Sequence, residues 1–283
     1  MVIMKIYEAI AEAKKILEEN NIVDADLKAK EIMQYYLEME PKDIIKNYRN
    51  EYDFTKFFEM IEKVSKNTPY QYVIGKAWFY GKEYIVDENV LIPRIDSEIV
   101  AHEIISKVQE MEDSGREAVE VLEIGTGSGA LSITAVENTN ANILAVDISE
   151  GAIDIAKENM KLHGIKEDRM DVILSDIYEN VTGKFDIIFS NPPYIRSGDM
   201  KNLDKDVLKE PHLALDGGES GLDYYIKIID GAKDYLKENG YIIFEIGYDQ
   251  RKDIEKIAKD AGYTSVECIK DMENRDRVII IRK

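Results

Sequence analysis

The sequence predicts an α/β protein built on a seven-stranded, mostly parallel sheet, preceded by a small helical domain and a β-hairpin. From Glu120 onward, short apolar segments alternate with amphipathic helical segments, as in parallel sheets that helices cover on both faces. Ahead of Glu120, apolar residues recur first at helical spacing and then at a spacing of two. The chain has 283 residues, so we expect one large domain and one small one.

Residues 1–69 are predicted to form the small helical domain. Ile6, Ile10 and Leu17 lie at spacings that place them on one face of a helix. Pro41 is expected to open a further short helix, because its fixed φ and missing N–H cost least in a first turn. We expect most of these apolar residues to form a helix-on-helix core, with any exposed remainder available to dock a protein substrate.

Residues 70–92 are predicted to form a β-hairpin linker, because strand-forming residues such as Trp78 alternate there around two glycines. The large domain is then predicted to span residues 93–283. Either Asp96 or Ser97 is expected to cap its first helix, because short polar side chains satisfy free N–H groups at a helix start.

Seven strands, and three main helices between them, are predicted within the large domain. The strands are predicted at Val121–Ile124, Ile143–Asp147, Asp171–Asp176, Phe185–Ser190, Tyr241–Ile246, Thr264–Ile269 and Arg277–Ile281. The helices are predicted at Glu150–His163, Tyr224–Lys237 and Gln250–Ala261. Gly240 and Gly262 are expected to end the last two helices, since glycine readily takes the left-handed conformation of a helix end.

Composition excludes several classes of function. Lys and Arg number 37 against 56 Asp and Glu, a net charge of −19, so direct nucleic-acid binding is disfavoured. No segment is apolar over the roughly 20 residues that a membrane span needs, and the single cysteine, Cys268, allows no internal disulfide. We therefore expect a soluble cytoplasmic protein with no membrane contact. The three histidines are far apart and no Cys/His spacing indicates a metal site.

A glycine-rich turn follows the first predicted strand of the sheet and precedes a helix. It comprises Gly125, Thr126, Gly127, Ser128 and Gly129, and its glycines let a nucleotide-like ligand approach the backbone at a helix N-terminus. A dinucleotide and S-adenosylmethionine compete as its ligand, because an acid about twenty residues downstream is typical of dinucleotide-binding folds as well. The third glycine falls two residues after the second instead of three, which weakly favours S-adenosylmethionine.

Two acidic residues at predicted strand ends are candidate ligands for such a cofactor. Asp147 ends the second strand, where its carboxylate can accept hydrogen bonds from both ribose hydroxyls. Asp147 is free for this role if Ser149 caps the following helix. Asp176 ends the third strand and is the candidate partner of an adenine amine, with Ile177 packing on the ring.

The segment Asn191-Pro192-Pro193-Tyr194 directly follows the fourth predicted strand and is the candidate reacting site. An amide nitrogen is a poor nucleophile, so a site that methylates it must orient and polarise it. The side-chain oxygen of Asn191 and the carbonyl of Pro192 can each accept one N–H of an incoming NH₂ group. Tyr194 is expected to stack on the planar group or to wall it in. This motif indicates methyl transfer to a planar nitrogen, without deciding between an amide and an adenine.

The chain resembles the HemK/PrmC family, the peptide chain release factor N5-glutamine methyltransferases, almost from end to end. The matching segments are Thr68–Gly75, Phe79–Gly81, Val90–Arg94, Gly125–Gly129, Asn191–Ile195, Glu210–Pro211, Ala214–Leu215, Gly217–Gly218, Gly221–Leu222 and Arg275–Arg277. The resemblance implies a Rossmann-like fold that binds S-adenosyl-L-methionine through Gly125–Gly129, Asp147 and Asn191. It also implies a glutamine substrate held by Asn191, Pro192, Pro193 and Tyr194, within the Gly-Gly-Gln loop of class-1 release factors.

Two departures from the family's pattern concern details of the site. The chain has Arg94-Ile95-Asp96-Ser97-Glu98 where the family usually has Arg-Pro-Glu-Thr-Glu, and Ile177 where some relatives carry an aromatic residue. Glutamine methylation of a ribosomal protein and N6-adenine methylation of nucleic acid remain alternatives, the latter opposed by the negative charge. A non-catalytic binding protein is a further alternative. The oligomeric state stays open, with a monomer expected.

Overall fold

The computed structural model describes all 283 residues, which divide into two compact units. The smaller unit contains Met1–Lys76 and Asp204–Lys209, and the larger unit contains Ala77–Leu203 and Glu210–Lys283. No helix in either unit combines the length and the apolar character that crossing a membrane requires.

The smaller unit is mainly helical, as the sequence predicts. Its elements are β1 (Ile3–Lys5), α1 (Ile6–Glu19), α2 (Ala25–Leu37), α3 (Pro41–Lys46), β2 (Glu51–Asp53), α4 (Thr55–Ser65) and α5 (Tyr70–Ile74). Phe57 and Ile61 of α4 are fully buried and belong to one apolar cluster with Leu17 of α1. Pro41 is the first residue of α3, which confirms that prediction.

The larger unit contains the predicted seven-stranded, mostly parallel sheet. Its elements are β3 (Lys76–Phe79), β4 (Lys82–Ile85), α6 (Glu98–Asp113), β5 (Glu120–Ile124), α7 (Ala130–Asn138), β6 (Asn142–Asp147), α8 (Glu150–Leu162), β7 (Met170–Leu174), β8 (Phe185–Ser190), α9 (Asp223–Tyr235), β9 (Leu236–Glu245), α10 (Arg251–Asp260), β10 (Ser265–Lys270) and β11 (Asp276–Arg282). The strand order is β10-β11-β9-β8-β5-β6-β7, and only β11 runs antiparallel to its neighbours.

Two apolar clusters cover the opposite faces of this sheet. Val121 and Ile187 belong to one cluster, whereas the next residue of each strand, Leu122 and Ile188, belongs to the other. Successive side chains of a strand point to opposite faces, so both faces are buried. This double burial explains why the strands appear in the sequence as nearly continuous apolar runs.

The hairpin is shorter than the predicted range 70–92. Its strands β3 and β4 are separate from α5, which begins directly after Pro69. Phe79 and Tyr84 are buried in a core cluster of the larger unit, so the hairpin is part of that unit and not an independent linker. The boundary between the units falls after Lys76 instead of at residues 69 and 92.

The predicted end of α9 at Gly240 is wrong, whereas the predicted helix end at Gly262 is confirmed. Strand β9 begins directly after α9, because Leu236 is buried and pairs with Phe185 of β8. Gly240 therefore lies inside β9, where an added Cβ would be 2.8 Å from the carbonyl oxygen of Asp186. Gly262 has φ +94°, and its N–H donates to the carbonyl of Lys259 after α10.

Neither Asp96 nor Ser97 caps α6, in contrast to the prediction. Both lie in a single 3₁₀ turn ahead of the helix, and neither side chain makes a capping hydrogen bond. The side chain of Asp96 pairs with Arg277 at 3.2 Å, and that of Ser97 donates to Glu245. Both side chains therefore bond to residues distant in sequence and not to the free N–H groups at the start of α6.

Substituting Gly231 of α9 by Ala is expected to destabilise the protein, although alanine normally favours a helix by about 1 kcal/mol over glycine. An added Cβ would lie 2.5 Å from the ring of Tyr178. That ring cannot move easily, since it stacks on Tyr235 with centroids 4.5 Å apart and its hydroxyl donates to the carbonyl of Ile228. We expect the free energy of unfolding, measured with urea, to fall by about 1–3 kcal/mol.

The control is the same change in a Tyr178→Ala background. There the steric conflict is absent, so Gly231→Ala should be neutral or stabilising. An equal loss in both backgrounds would contradict this explanation.

Candidate active site

The two sequence motifs meet because their strands are neighbours. Strands β5 and β8 pair in parallel, with Ile124 opposite Ser190. The chain leaves β5 towards β6 on one side and later enters β8 on the other, so β5 and β8 flank the point where the strand order reverses. A crevice forms outside the carboxyl ends of strands at such a point. The glycine turn and Asn191 both begin at that edge.

The glycine turn depends on backbone conformation more than on space. Gly125 and Gly127 have φ values of +76° and +53°, which other residues rarely adopt, while an added Cβ on either would meet no atom within 4 Å. Gly129 has φ +79° and lies against Ile133 and Ala156 at the start of α7. The turn thus presents backbone close to a helix N-terminus, a favourable place for a polar ligand.

Asp147 lies at the end of β6 and is tied to the glycine turn. One carboxylate oxygen accepts the N–H of Gly127 at 2.9 Å and the other accepts the N–H of Ser149 at 3.0 Å. Ser149 itself caps α8 by accepting the N–H of Ala152, as predicted, so Asp147 has no capping role. Burial raises the pKa of Asp147, although these backbone donors oppose that effect. Each carboxylate oxygen retains capacity to accept a ligand hydroxyl.

A cavity of about 180 Å³ unites most of the predicted site residues. Its lining includes Gly125, Thr126, Gly127, Ser128, Asp147, Asp176, Ile177, Asn191, Pro192 and Pro193. This volume far exceeds the roughly 15 Å³ that one water needs, so the cavity has room for an organic ligand. Gly129 and Tyr194, which were also predicted, do not line it.

Ile177 occupies this cavity wall in an unusual backbone conformation. Its φ is +51°, in the left-handed region that β-branched residues avoid. The turn is held by Ser175, whose hydroxyl donates to the carbonyl of Ile177 and accepts the N–H of Asn180. The surrounding hydrogen bonds therefore maintain a costly conformation that points to a functional constraint.

Asn191 and Pro192 present two unpaired acceptors beside each other. The Asn191 Nδ2 donates to Ser97 Oγ at 3.3 Å, whereas its Oδ1 accepts no hydrogen bond within the protein. The carbonyl oxygen of Pro192 likewise has no donor within the protein. Pro193, the next residue, has no N–H, so this short stretch offers mainly acceptors to the cavity.

Tyr194 turns away from the cavity and supports the loop from behind. It packs against the apolar cluster beneath the loop, and its hydroxyl donates to Glu245 at 3.4 Å. Burial raises the pKa of Tyr194 well above its usual value, so its hydroxyl stays protonated.

A second glycine-rich loop holds the backbone after Asn191. An added Cβ on Gly217 would lie 2.6 Å from the carbonyl oxygen of Pro193, and one on Gly221 would lie 2.5 Å from that of Tyr194. The side-chain amide of Gln250 donates to the carbonyls of both Tyr194 and Gly221 at 3.0 Å. Close backbone packing and these hydrogen bonds fix the loop.

The sequence reasoning missed several polar residues of the site. Glu123 is fully buried in β5 beneath the glycine turn, where Thr126 donates to it at 2.6 Å and Ser132 also donates. Burial raises the pKa of Glu123 to about 8. Glu245 is likewise a buried acid inside an apolar strand, β9. The available signal was an acid inside an otherwise apolar strand, since charged residues are rarely buried without partners.

Replacing Glu123 by Gln is expected to change how stability depends on pH. Between the pKa of the unfolded chain and about 8, folding protonates Glu123, so the wild type loses stability as pH rises through that range. Glutamine does not titrate. The stability of Glu123→Gln relative to the wild type should therefore improve from pH 5 to pH 8 by more than about 1 kcal/mol, since one pKa unit is worth about 1.4 kcal/mol.

Urea unfolding at the two pH values measures this difference. A stability difference between the two proteins that is the same at both values would show that Glu123 is ionised in the folded state at pH 5.

Family models match both units of the chain. One described as the PrmC N-terminal domain matches residues 8–75, and one described as the methyltransferase small domain matches residues 103–264. Among solved structures, a methyltransferase from Pyrococcus furiosus superposes with a TM-score of 0.51 at 21% identity, covering 72% of this chain and 90% of that one. That likeness confirms the fold alone.

Sequence relatives extend over nearly the whole chain. The release factor glutamine methyltransferase of Bacillus anthracis is 37% identical over 98% of each chain. That of Aquifex aeolicus is 34% identical over 97% of this chain and 95% of its own. The resemblance recognised in the motifs thus holds along the full length, and the chain belongs to the family of release factor glutamine methyltransferases.

Proposed function

We propose that this protein transfers a methyl group from S-adenosyl-L-methionine to the side-chain amide nitrogen (N5) of the glutamine in the Gly-Gly-Gln loop of class-1 release factors. One observation supports the proposal: Asn191 and Pro192, whose side-chain Oδ1 and carbonyl oxygen accept no hydrogen bond within the protein, line the same cavity as the glycine turn. A planar NH₂ group has two donors, and the two acceptors match it in number and type.

The cavity fits the donor molecule in its chemistry. When bound, S-adenosyl-L-methionine supplies an electrophilic methyl group on sulfonium sulfur and leaves as S-adenosyl-L-homocysteine. Gly125–Gly129 provide a backbone that a ligand can approach closely, and Asp147 has acceptor capacity for ribose hydroxyls. We assign Asp176 to the adenine amine and Ile177 to the adenine ring, because both line the cavity beyond Asp147.

Asn191 and Pro192 are proposed to orient the substrate amide. Each oxygen accepts one N–H of the glutamine, which turns the nitrogen lone pair away from both oxygens and towards the methyl group. Positive charge develops on the nitrogen as it gains the methyl group, so both oxygens bind the transition state more strongly than the ground state. The nitrogen then loses a proton to water, and no protein base is required.

Pro193 and Tyr194 are proposed to shape the substrate side of the site. Pro193 lines the cavity directly, whereas Tyr194 holds the loop through its packing and its hydrogen bond to Glu245. The contribution of Tyr194 is therefore to keep Asn191 and Pro192 in place, and not to stack on the glutamine as the sequence suggested.

The smaller unit is proposed to recognise the release factor as a protein. Val23, Leu27 and Ile45 expose more than half of their surface there, so apolar area is available for docking. The net charge of −19 opposes direct binding to nucleic acid, which disfavours adenine methylation. Release factors act in the cytoplasm, where we place this protein, as a monomer.

Incubation with a release factor and methyl-labelled cofactor, followed by peptide mapping, tests the proposal. Label is expected on the glutamine of the Gly-Gly-Gln loop, and a release factor with that glutamine replaced by alanine should remain unlabelled. Label on a ribosomal-protein glutamine with none on any release factor would overturn the substrate assignment.

Substituting Asn191 by Ala is expected to lower kcat by about 100-fold or more, because an acceptor that acts on the transition state is lost. Cofactor affinity should remain within a few fold, since the lost oxygen faces the substrate amide. Single-turnover kinetics and calorimetry measure the two quantities. Asn202→Ala, an exposed asparagine in a nearby 3₁₀ turn, serves as the control. Wild-type activity in Asn191→Ala would refute the assigned role.

Substituting Asp147 by Ala is expected to weaken cofactor binding by about 1.5–3 kcal/mol, the usual contribution of hydrogen bonds to a charged acceptor. Activity should recover largely at saturating cofactor, because Asp147 does not act on the substrate amide. Calorimetry measures the affinity. Asp154→Ala, an exposed acid on α8, is the matched control. If both variants bound the cofactor like the wild type, Asp147 would not be a cofactor ligand.

A further inference from the structure

A short chain of buried hydrogen bonds leads from Asn191 into the protein. The Asn191 Nδ2 donates to Ser97 Oγ at 3.3 Å, and Ser97 Oγ donates to Glu245 Oε2 at 2.5 Å. Ser97 and Glu245 are only 4% and 2% exposed, and Ser97 also lines the cavity.

The sheet brings these residues together. Ser190 at the end of β8 lies opposite Phe244 of the neighbouring strand β9, so Asn191 and Glu245 follow at the same edge. The 3₁₀ turn before α6 places Ser97 between them. Residues from three separate segments are therefore joined in one chain of hydrogen bonds, in which Ser97 contacts the Asn191 carboxamide and Glu245 contacts Ser97.

The direction of these hydrogen bonds decides which end of the carboxamide faces the substrate. The oxygen and nitrogen of an asparagine side chain are nearly the same size, so shape alone does not select one orientation. A serine hydroxyl has one hydrogen. When Ser97 gives that hydrogen to Glu245, only lone pairs remain towards Asn191, and the Asn191 nitrogen is the group that they accept. The oxygen must then face the cavity.

Both carboxylate oxygens of Glu245 lie within hydrogen-bonding distance of a hydroxyl group. Ser97 donates to one of its oxygens and Tyr194 donates to the other. Burial and the negative charge of Asp96 raise the pKa of Glu245, while the hydrogen bond from Ser97 and the positive charge of Arg277 oppose that rise. An ionised carboxylate has no proton to donate, so in this arrangement Ser97 donates and Glu245 accepts.

We propose that Ser97 and Glu245 are positioning residues that lock the Asn191 carboxamide with its oxygen towards the substrate. This inference rests on the proposed function, in which that oxygen accepts an N–H of the glutamine. A reversed carboxamide would direct its own N–H groups at those of the substrate, so the substrate would lose one acceptor and its orientation. Neither Ser97 nor Glu245 touches the reacting atoms in this scheme.

Kinetics of three single variants and one double variant test this proposed locking of the Asn191 carboxamide. Ser97→Ala removes the directing hydroxyl and is expected to lower kcat by about 10- to 100-fold, the usual effect of misplacing a reacting group. Ser97→Thr keeps the hydroxyl and should restore most of that loss. Glu245→Gln can donate as well as accept, so it should lower kcat to a similar extent. The double variant Ser97→Ala, Glu245→Gln should be no slower than Ser97→Ala, because both act through Asn191.

Cofactor affinity and melting temperature of each variant separate positioning from folding. Both are expected to stay close to wild-type values in Ser97→Ala, with the change confined to kcat. Wild-type kcat in Ser97→Ala, or no recovery in Ser97→Thr at an unchanged melting temperature, would overturn the proposal.

An NMR measurement tests the lock without any release factor. The side-chain NH₂ signals of Asn191, identified by their absence in Asn191→Ala, should exchange slowly with water in the wild type. In Ser97→Ala the exchange is expected to be about 10-fold faster, since the hydrogen bond is gone. Equal exchange in the two proteins would refute the lock even if the wild type methylates release factors. Failure of the wild type to methylate them, with the exchange difference present, would instead refute only the proposed function.

Discussion

The parallel pairing of β5 with β8 is the constraint on which the site depends. Neighbouring strands lie about 4.8 Å apart, so the segments that leave their carboxyl ends begin side by side. After Ile124 the chain turns into the glycine-rich loop, and after the adjacent Ser190 it continues into Asn191. In the proposed function, the methyl donor binds in this crevice beside the glycine-rich loop and the acceptor amide binds beside Asn191. Under that proposal, the spacing of neighbouring strands keeps the donor and the acceptor within a short distance of each other.

Much of this arrangement could be predicted because the end of a buried strand is visible in a sequence. The mostly apolar run from Phe185 to Ser190 is buried throughout and stops at Asn191, and the predicted bounds agree with β8. Asp147 was found by the same reasoning at the end of β6. The local chemistry of Ser149 as a helix cap also needed only its neighbours. Features that depend on adjacent residues were therefore accessible.

The rest depended on which distant segments become neighbours. Glu245 reaches the edge where Asn191 lies only because β9 pairs with β8, and nothing near Glu245 in the sequence specifies that pairing. The sequence predicted that Ser97 caps a helix, because its partner Glu245 is distant along the chain. The same limit explains the error at Gly240, because the strand that displaced the helix end is held by Phe185 and not by local propensity. Sequence periodicity describes elements, whereas polar networks belong to the assembled sheet.

The left-handed backbone at Ile177 affects both the stability of the protein and the shape of the cavity. Such a conformation costs a branched side chain about 1–3 kcal/mol, a cost that a glycine would avoid. A glycine would also remove the apolar wall from that end of the cavity and loosen the turn that carries Asp176. Isoleucine at this position thus lowers the thermal resistance of the protein but gives the cavity a rigid apolar wall.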